Sequence, residues 1–596
     1  MPGVRALLRG SVRALLRGSV REHHGTDPSG RAGAGPARPG ARTVLKRLAF
    51  TLLALALLAA SVFAGVGGTQ GVLLLYARLV VREQAAPPRA VTWASAPPTA
   101  PGAVRRPPNV VLIVADDLGI NDLTFAGGGV AGGAVPTPRI DSIARDGVDF
   151  RTGYAGNATC SPSRAALLTG RYPTRFGFEF TPVPVAFSRL VAGHVAPGSA
   201  YRSVYHSELE RTSPPYERMA LPASEVTIAK LLKSAGYRTM HVGKWHLGET
   251  PESSPNAHGF DDSLGFMAGA SMFLSENHPD VVNSRQGFDP IDQFLWAAHP
   301  YYVRFNGGAS FQPARYMTDY LTDEAIAAIS SNRNRPFFLY LAYNAPHTPL
   351  QALRDDWEAL GQIRDPVLRV YAAMIRSLDR NVGRVLDALA AQGLADDTLV
   401  IFTSDNGGAH YVGLPDLNKP YRGWKATFYE GGVRVPFFMR WPRAIPKRTA
   451  FEAPVSHFDV FATVAAAAGV APPSDRPIDG VDLMPFVAGA RPGRPHETLF
   501  WRSGDYRAIR SGDWKLQVVG RPAHERLFLL SDDPTERRDR ARAEPGRVAE
   551  LRAQLAGFER AQAPRIWPSL IEVPITVDKT LKERMLADDE VVYWWN

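Results

Sequence analysis

Four apolar runs of strand length, each ending in charged or metal-binding residues, constrain this chain more than any other feature. "NVVLIVADD" closes on Asp116 and Asp117, and "YRTMHVGKWHLG" on Lys244 and His246. "RPFFLYLAYNAPHTP" reaches His347, and "DTLVIFTSDNGG" reaches Asp405 and Asn406. Continuous apolar runs of this length mark strands buried on both faces. Segments with helical patterning lie between them, at residues 138–146, 163–169, 225–235, 317–330, 366–391 and 458–468, and a further strand is expected over 433–439. The alternation predicts an α/β fold with a large, mostly parallel sheet sandwiched by helices. In such sheets ligands bind beyond the carboxyl ends of the strands. One polar residue after a strand is an ordinary turn, but four such endings with ligand or acid–base chemistry point to a site.

The net charge of +10 would suit a nucleic-acid binder if it were spread over the fold. It is not. Residues 1–47 hold ten Lys and Arg against two acids, a surplus of eight that leaves about +2 for everything after them. Nucleic-acid binding by bulk charge is therefore excluded. Residues 1–47 read as a basic low-complexity leader, in which "RALLRGSV" occurs twice. Residues 48–77 carry no charge and are long enough for a membrane anchor with its basic flank in the cytoplasm. Val62-Phe63-Ala64 leaves a cleaved signal sequence open. Either reading exports the rest, membrane-anchored in one case and secreted or periplasmic in the other. Residues 78–107, rich in Pro and Ala, are expected to be a stalk. The chain has one cysteine, Cys160, so no intramolecular disulfide can form and the fold rests on its core.

Asp116, Asp117, Asp405 and Asn406 offer hard oxygen ligands suited to Ca²⁺ or Mg²⁺. Each pair alone is also a common turn sequence. If their strands are neighbours, the clustered carboxylates repel one another unless a cation lies among them. Lys244, His246, His347 and Lys425, the last in "RGWKATFYEGGVRVP", then form a positive ring for an oxyanion, with histidine able to move protons. A lone histidine is more often a core or surface residue, but Lys244 and His246 share one side just past a strand. Cys160 opens "CSPSRAALLTG", a turn with Pro162 in the first helical turn, so its side chain is expected to face a helix N-terminus. The sequon Asn157-Ala158-Thr159 is read as coincidental.

These motifs carry a resemblance to a known family. "CSPSR" followed by "AALLTGRYPTRFG" resembles the signature of the formylglycine-dependent sulfatases of the alkaline phosphatase superfamily, and "VGKWHLG" is similar to their second signature. "VLIVADDLG", "APHTP", "SDNGG" and "KATFYEGGVRVP" also match, in order, across residues 108–560. The resemblance implies an alkaline-phosphatase-like catalytic domain over 108–490, and a smaller C-terminal domain over 491–596 with a short antiparallel sheet and a helix. It implies that a maturation enzyme oxidises Cys160 to formylglycine, whose hydrate attacks the sulfur of a sulfate ester and then sheds the sulfate. It implies Ca²⁺ on Asp116, Asp117, Asp405 and Asn406 beside the modified Cys160, with Mg²⁺ the lesser candidate. Arg164 would orient the nucleophile, and Lys244 and Lys425 would clamp the sulfate. His347 with Lys425 would assist the leaving oxygen, and His246 would serve as base. A phosphonate monoester or phosphodiester hydrolase with the same machinery is the alternative. A non-catalytic membrane-tethered binding protein is a third reading.

Residues 178–222 form a longer connection than this family pattern requires and are expected to shape the substrate pocket. Residues 266–315, rich in aromatics, share that expectation. The tail ending "VVYWWN" is expected to pack on the core, with a membrane or partner contact as the other possibility.

Overall fold

The computed structural model describes residues 61, 64, 68–95, 106–125, 127–194 and 198–596. The basic leader and most of the expected anchor lie outside the described residues. Among the described residues no helix is long and apolar enough to cross a membrane. Residues 69–596 form one compact unit.

Nine strands build its central sheet: β1 (Asn109–Ala115), β2 (Val148–Phe150), β3 (Arg238–Lys244), β4 (Asp262–Phe266), β5 (Arg304–Phe305), β6 (Phe337–Ala342), β7 (Thr398–Ser404), β8 (Phe437–Arg440) and β9 (Thr449–Phe451). Their order is β9-β2-β8-β7-β1-β6-β3-β4-β5. The inner strands β7, β1, β6, β3 and β4 run parallel, and β5 and β8 pair antiparallel with their neighbours. β1 shows why its run is continuously apolar. Val111, Ile113 and Ala115 pack on one face against helices Pro138–Arg145, Met317–Asn332 and Pro366–Ala391. Val110, Leu112 and Val114 pack on the other against helices Cys160–Thr169, Ile228–Ser234 and Asp459–Ala467. Alternate side chains enter opposite layers, so neither set can be polar.

Some boundaries differ from the sequence reading. The helix expected at residue 163 begins at Cys160, because Thr159 is extended and Pro162, lacking an N–H, fits the first turn. The strand expected over 433–439 is shorter. Glu430–Val433 form a helical turn and pairing starts at Phe437, after Pro436, which has no N–H to donate. Residues 178–222 include helix Val185–Gly193, which buries Phe187, Leu190 and Val191 at helical spacing. Within the segment expected to be a stalk, Ala86 pairs with Phe311, and buried Trp93 donates from its indole N–H to Glu324.

Toward the C-terminus, Thr498–Ser503, Tyr506–Ser511, Trp514–Gly520 and Ala523–Leu529 form a four-stranded antiparallel sheet. Gly504-Asp505 and Gly512-Asp513 close its first two hairpins, with glycine at φ of 63° and 58° as two-residue turns require. Helix Pro545–Arg560 covers one face through Val548, Leu551 and Leu555. The other face presents Lys515, fully buried, to Glu430 at 2.8 Å and Glu536 at 3.1 Å. Glu430 also accepts a hydrogen bond from the Tyr154 hydroxyl. This ion cluster joins the small sheet to the segment carrying Lys425. Replacing Lys515 with Met removes the cation between two buried carboxylates and leaves Glu430 only its longer pairing with Arg434 at 3.3 Å. It is expected to cost about 3–5 kcal/mol in urea unfolding, as removal of one partner from a buried pair does. An unchanged midpoint would show that the cluster does not hold the sheet.

Candidate active site

The four strands that end in polar residues are adjacent, in the order β7, β1, β6, β3. Parallel strands about 4.8 Å apart deliver their endings to one edge, so Asp405 and Asn406, Asp116 and Asp117, His347, and Lys244 and His246 converge there. Arg164 and Cys160 come from helix Cys160–Thr169, whose residues are all buried. Lys425 arrives on a loop pinned by two backbone bonds, Lys425 N–H to Gly408 and Ala426 N–H to Ala158.

The contacts form a closed ring. Lys244 Nζ donates to both Asp116 oxygens at 2.8 and 2.7 Å. Lys425 Nζ lies 2.8 and 2.9 Å from the two Asp117 oxygens. Arg164 donates through Nε to Asp405 Oδ2 at 2.9 Å, and its Nη2 is 2.8 Å from the same oxygen and 3.4 Å from Asp116. The other Asp405 oxygen accepts the Asp117 backbone N–H. Cys160 Sγ sits 3.7 Å from both Asp116 and Asp117. His347 Nε2 is 3.6 Å from Asp117 and 3.3 Å from Lys425 Nζ. Among the described residues the buried Nδ1 of His246 has no hydrogen-bond partner. Gly269 packs so close to its ring that a Cβ there would stand 2.7 Å from Nε2. All ten residues singled out in the sequence therefore fall around one point.

Tyr411 and Tyr340 were not legible beforehand. The Tyr411 hydroxyl donates to Asp117 at 2.9 Å, and Arg164 donates to the Tyr340 hydroxyl at 3.3 Å. Tyr340 looks like any core residue of β6, and Tyr411 sits on a short turn three residues past "SDNGG", outside the motif itself.

The electrostatics follow from burial. Desolvation pushes Asp116 up to about 7 despite Lys244. Burial also acts on Asp405, but Arg164, Lys244 and Lys425 outweigh it and hold the carboxyl well below its usual range. Burial opposes charge on Lys425, yet Asp117 keeps it firmly protonated. Burial drives His347 down to about 3, and burial and Lys244 drive His246 well below its usual value, so both rings are neutral near pH 7. The Cys160 thiol is pushed up by burial and by Asp405. Three non-glycine residues at the ring hold left-handed backbone, Asp117 at φ 60°, His246 at 59° and Ala426 at 71°. Such conformations cost on the order of 1–3 kcal/mol each and cluster where geometry is functional.

The donor set fits a divalent cation. One ligand atom from each of Asp116, Asp117, Cys160 and His347 lies within 4.8 Å of the others. Asn406 Oδ1 is buried and, among the described residues, has no hydrogen-bond partner. A buried amide oxygen without a donor is costly unless a cation takes it.

Above the ring opens a cavity of about 250 Å³ whose floor includes Cys160, His246, His347 and Lys425. Residues from 181–216, from 289–302 and from the tail after residue 572 supply its walls, which are mainly apolar.

Comparison with known proteins agrees with this arrangement. Residues 108–470 match the family model "Sulfatase", and residues 422–556 match that of the C-terminal region of N-sulphoglucosamine sulphohydrolase. Mouse steryl-sulfatase is 33% identical over 565 residues, covering 80% of this chain and 85% of its own. Mouse N-acetylgalactosamine-6-sulfatase is 34% identical over 423 residues, covering 69% and 72%. The crystal structure of Ps i-CgsB in complex with k-i-k-neocarrahexaose aligns with a TM-score of 0.64 at 31% identity, over 78% of this chain and 95% of that one.

Proposed function

Because the chain belongs to the sulfatase family and hydrolyses sulfate esters, we propose that it does so through formylglycine made from Cys160, beside a Ca²⁺ held by Asp116, Asp117, Asp405 and Asn406. The observation that carries this reading is the position of Cys160 Sγ, 3.7 Å from two carboxylates inside a ring of Arg164, Lys244 and Lys425. Burial makes the plain thiol a poor nucleophile, because the thiolate is the reactive form. A cysteine used there for thiolate chemistry would need the opposite shift. The hydrated aldehyde would supply one hydroxyl to attack sulfur as the S–O bond to the alcohol breaks, and a second whose loss of a proton re-forms the aldehyde and expels sulfate. Ca²⁺ held by those four residues would supply a Lewis acid.

The remaining roles follow from the chain's own groups. Three carboxylates face three cations in the ring, so a divalent ion leaves an excess of positive charge for an anion. Lys244 and Lys425 are placed to hold sulfate oxygens. Arg164, locked by Asp405 and Tyr340, orients the group at position 160 from the next turn of the same helix. Lys425 stays protonated and touches neutral His347, so the pair can pass a proton to the leaving oxygen. His246, neutral and free at Nδ1, is placed to accept a proton when sulfate is released.

The enzyme is read as exported and anchored by residues 48–77, and matured by a formylglycine-generating partner. On the described part of that segment and just after it, Val72, Leu75, Tyr76 and Leu79 are exposed at helical spacing, which supports a lipid-facing surface.

Mass spectrometry of the tryptic peptide of residues 152–164, from protein made with a formylglycine-generating enzyme, is expected to show the aldehyde or its hydrate. A free thiol in folded, active enzyme would overturn the mechanism. Removing divalent ions with a chelator is expected to abolish turnover of 4-nitrophenyl sulfate and to lower the melting temperature, with Ca²⁺ restoring both. Recovery by Mg²⁺ alone would reassign the ion. After alkaline carbonate extraction the full chain is expected to stay in the membrane fraction, and release into the supernatant would show a cleaved or peripheral segment.

A further inference from the structure

The wall of the cavity opposite the sulfate site is built by parts of the chain that the ring does not use. Tail strand Ile571–Thr576 pairs antiparallel with Val591–Trp595 on one side and with Val204–Tyr205 of the 178–222 connection on the other. This three-stranded sheet lies beyond both family-model matches, apart from its short outer strand. It is tied down on several sides. Glu572 accepts from His206 at 2.8 Å and from Arg521 at 2.9 Å. Arg422, three residues before Lys425, donates to Asp578 and Glu590. The same tail therefore braces the Lys425 loop and walls the cavity.

The wall chemistry is selective. Phe187 and Val191 come from helix Val185–Gly193, Phe294 and Leu295 from helix Pro290–Ala298, and Val573 and Trp594 from the tail sheet. Among the described lining residues there is no arginine, and Lys425 is the one lysine. Burial lowers the pKa of the lining histidines His194, His299 and His410, so among the described wall residues no further cation faces a second sulfate or a carboxylate of a charged saccharide. The three wall carboxylates are already engaged. Glu249 accepts from the Tyr216 hydroxyl at 2.5 Å, Asp289 caps its helix through the Ile291 and Asp292 N–H groups, and Glu83 pairs with Arg304. Ser199, Ser203 and His299 offer a few polar contacts, but a saccharide ring would bury most of its hydroxyls against apolar wall. A fused hydrocarbon ring system would exchange water for aliphatic and aromatic contact.

From this geometry we infer that the leaving group is a large, uncharged, apolar alcohol or phenol, and that the tail sheet with Val573 and Trp594 is its specificity-determining wall. The inference rests on the sulfatase reading above and names the substrate class for the same site. It is tested by comparing kcat/KM for three alcohol sulfates of similar leaving-group basicity: a fused polycyclic secondary alcohol, cyclohexanol and a monosaccharide 6-sulfate. Turnover of 4-nitrophenyl sulfate serves as the control.

The polycyclic ester is expected to exceed the monosaccharide ester by at least about 100-fold. Trp594→Ala and Val573→Asp are expected to lower the polycyclic-to-cyclohexyl ratio about ten-fold, mainly through KM. Should these variants fail to fold, the wild-type enzyme keeps the test decisive. The free polycyclic alcohol should inhibit 4-nitrophenyl sulfate hydrolysis competitively, and the free monosaccharide should not. Equal or faster turnover of the monosaccharide sulfate, or no inhibition by the free polycyclic alcohol, overturns the inference while leaving the catalytic reading intact. Loss of 4-nitrophenyl sulfate turnover in matured enzyme overturns the catalytic reading, and this one with it.

Discussion

Three carboxylates buried at one sheet edge have to be neutralised, and much of the molecule is arranged to do so. Asp116, Asp117 and Asp405 are almost wholly shielded from water, where isolated charge is prohibitive. Arg164, Lys244 and Lys425 answer them at hydrogen-bonding distance, and each cation comes from a different element. The helix of Cys160 must therefore pack against one face of the sheet, β3 must lie two strands from β1, and the Lys425 loop must fold back over the edge. A displacement of any of these would leave a buried charge unpaired. The same ring that makes the fold exacting would carry a surplus of positive charge if a divalent ion joined it.

The support behind the Lys425 loop extends the argument outward. Its backbone is held on one side by Ala158, two residues before Cys160, and on the other by the C-terminal sheet. The Phe428 N–H bonds the Tyr506 hydroxyl, and Glu430 meets Lys515. The smaller sheet thus acts as a brace for a site residue. The tail adds a second brace through Arg422 and a wall for the cavity. The ring and the cavity wall share one set of supports, while the residues that form them are separate.

That separation leaves the wall free to differ where the ring is tied down by charge. Mouse steryl-sulfatase and mouse N-acetylgalactosamine-6-sulfatase are similar to this chain to nearly the same degree. The strand endings are constrained by charge balance inside a buried edge. The 178–222 connection, the 266–315 excursion and the tail meet no such constraint, so their surfaces are free to suit different alcohols.

The sequence by itself determined the layered α/β fold and marked the residues that gather at one sheet edge. A strand buried on both faces must be apolar throughout and can show polarity only where it ends, so Asp116, Asp117, Lys244, His347, Asp405 and Asn406 stood out as endings. Cys160 and Arg164 stood out through their spacing in "CSPSR". Helix Pro366–Ala391 was legible to the residue, because an amphipathic pattern of that length starts at a proline behind Asp365, whose side chain caps it. Only the tertiary structure decided that the four endings are neighbours, since strand order depends on how crossovers pack and not on local pattern. It alone revealed Tyr411 and Tyr340, whose polar atoms serve the ring from positions that read as ordinary turn and core. It also turned the expected 178–222 loop into a helix and a strand. A segment interrupted by prolines, with its apolar residues in no long regular pattern, adopts order when Phe187, Val191 and the tail bury one another, and that contact joins residues nearly four hundred positions apart.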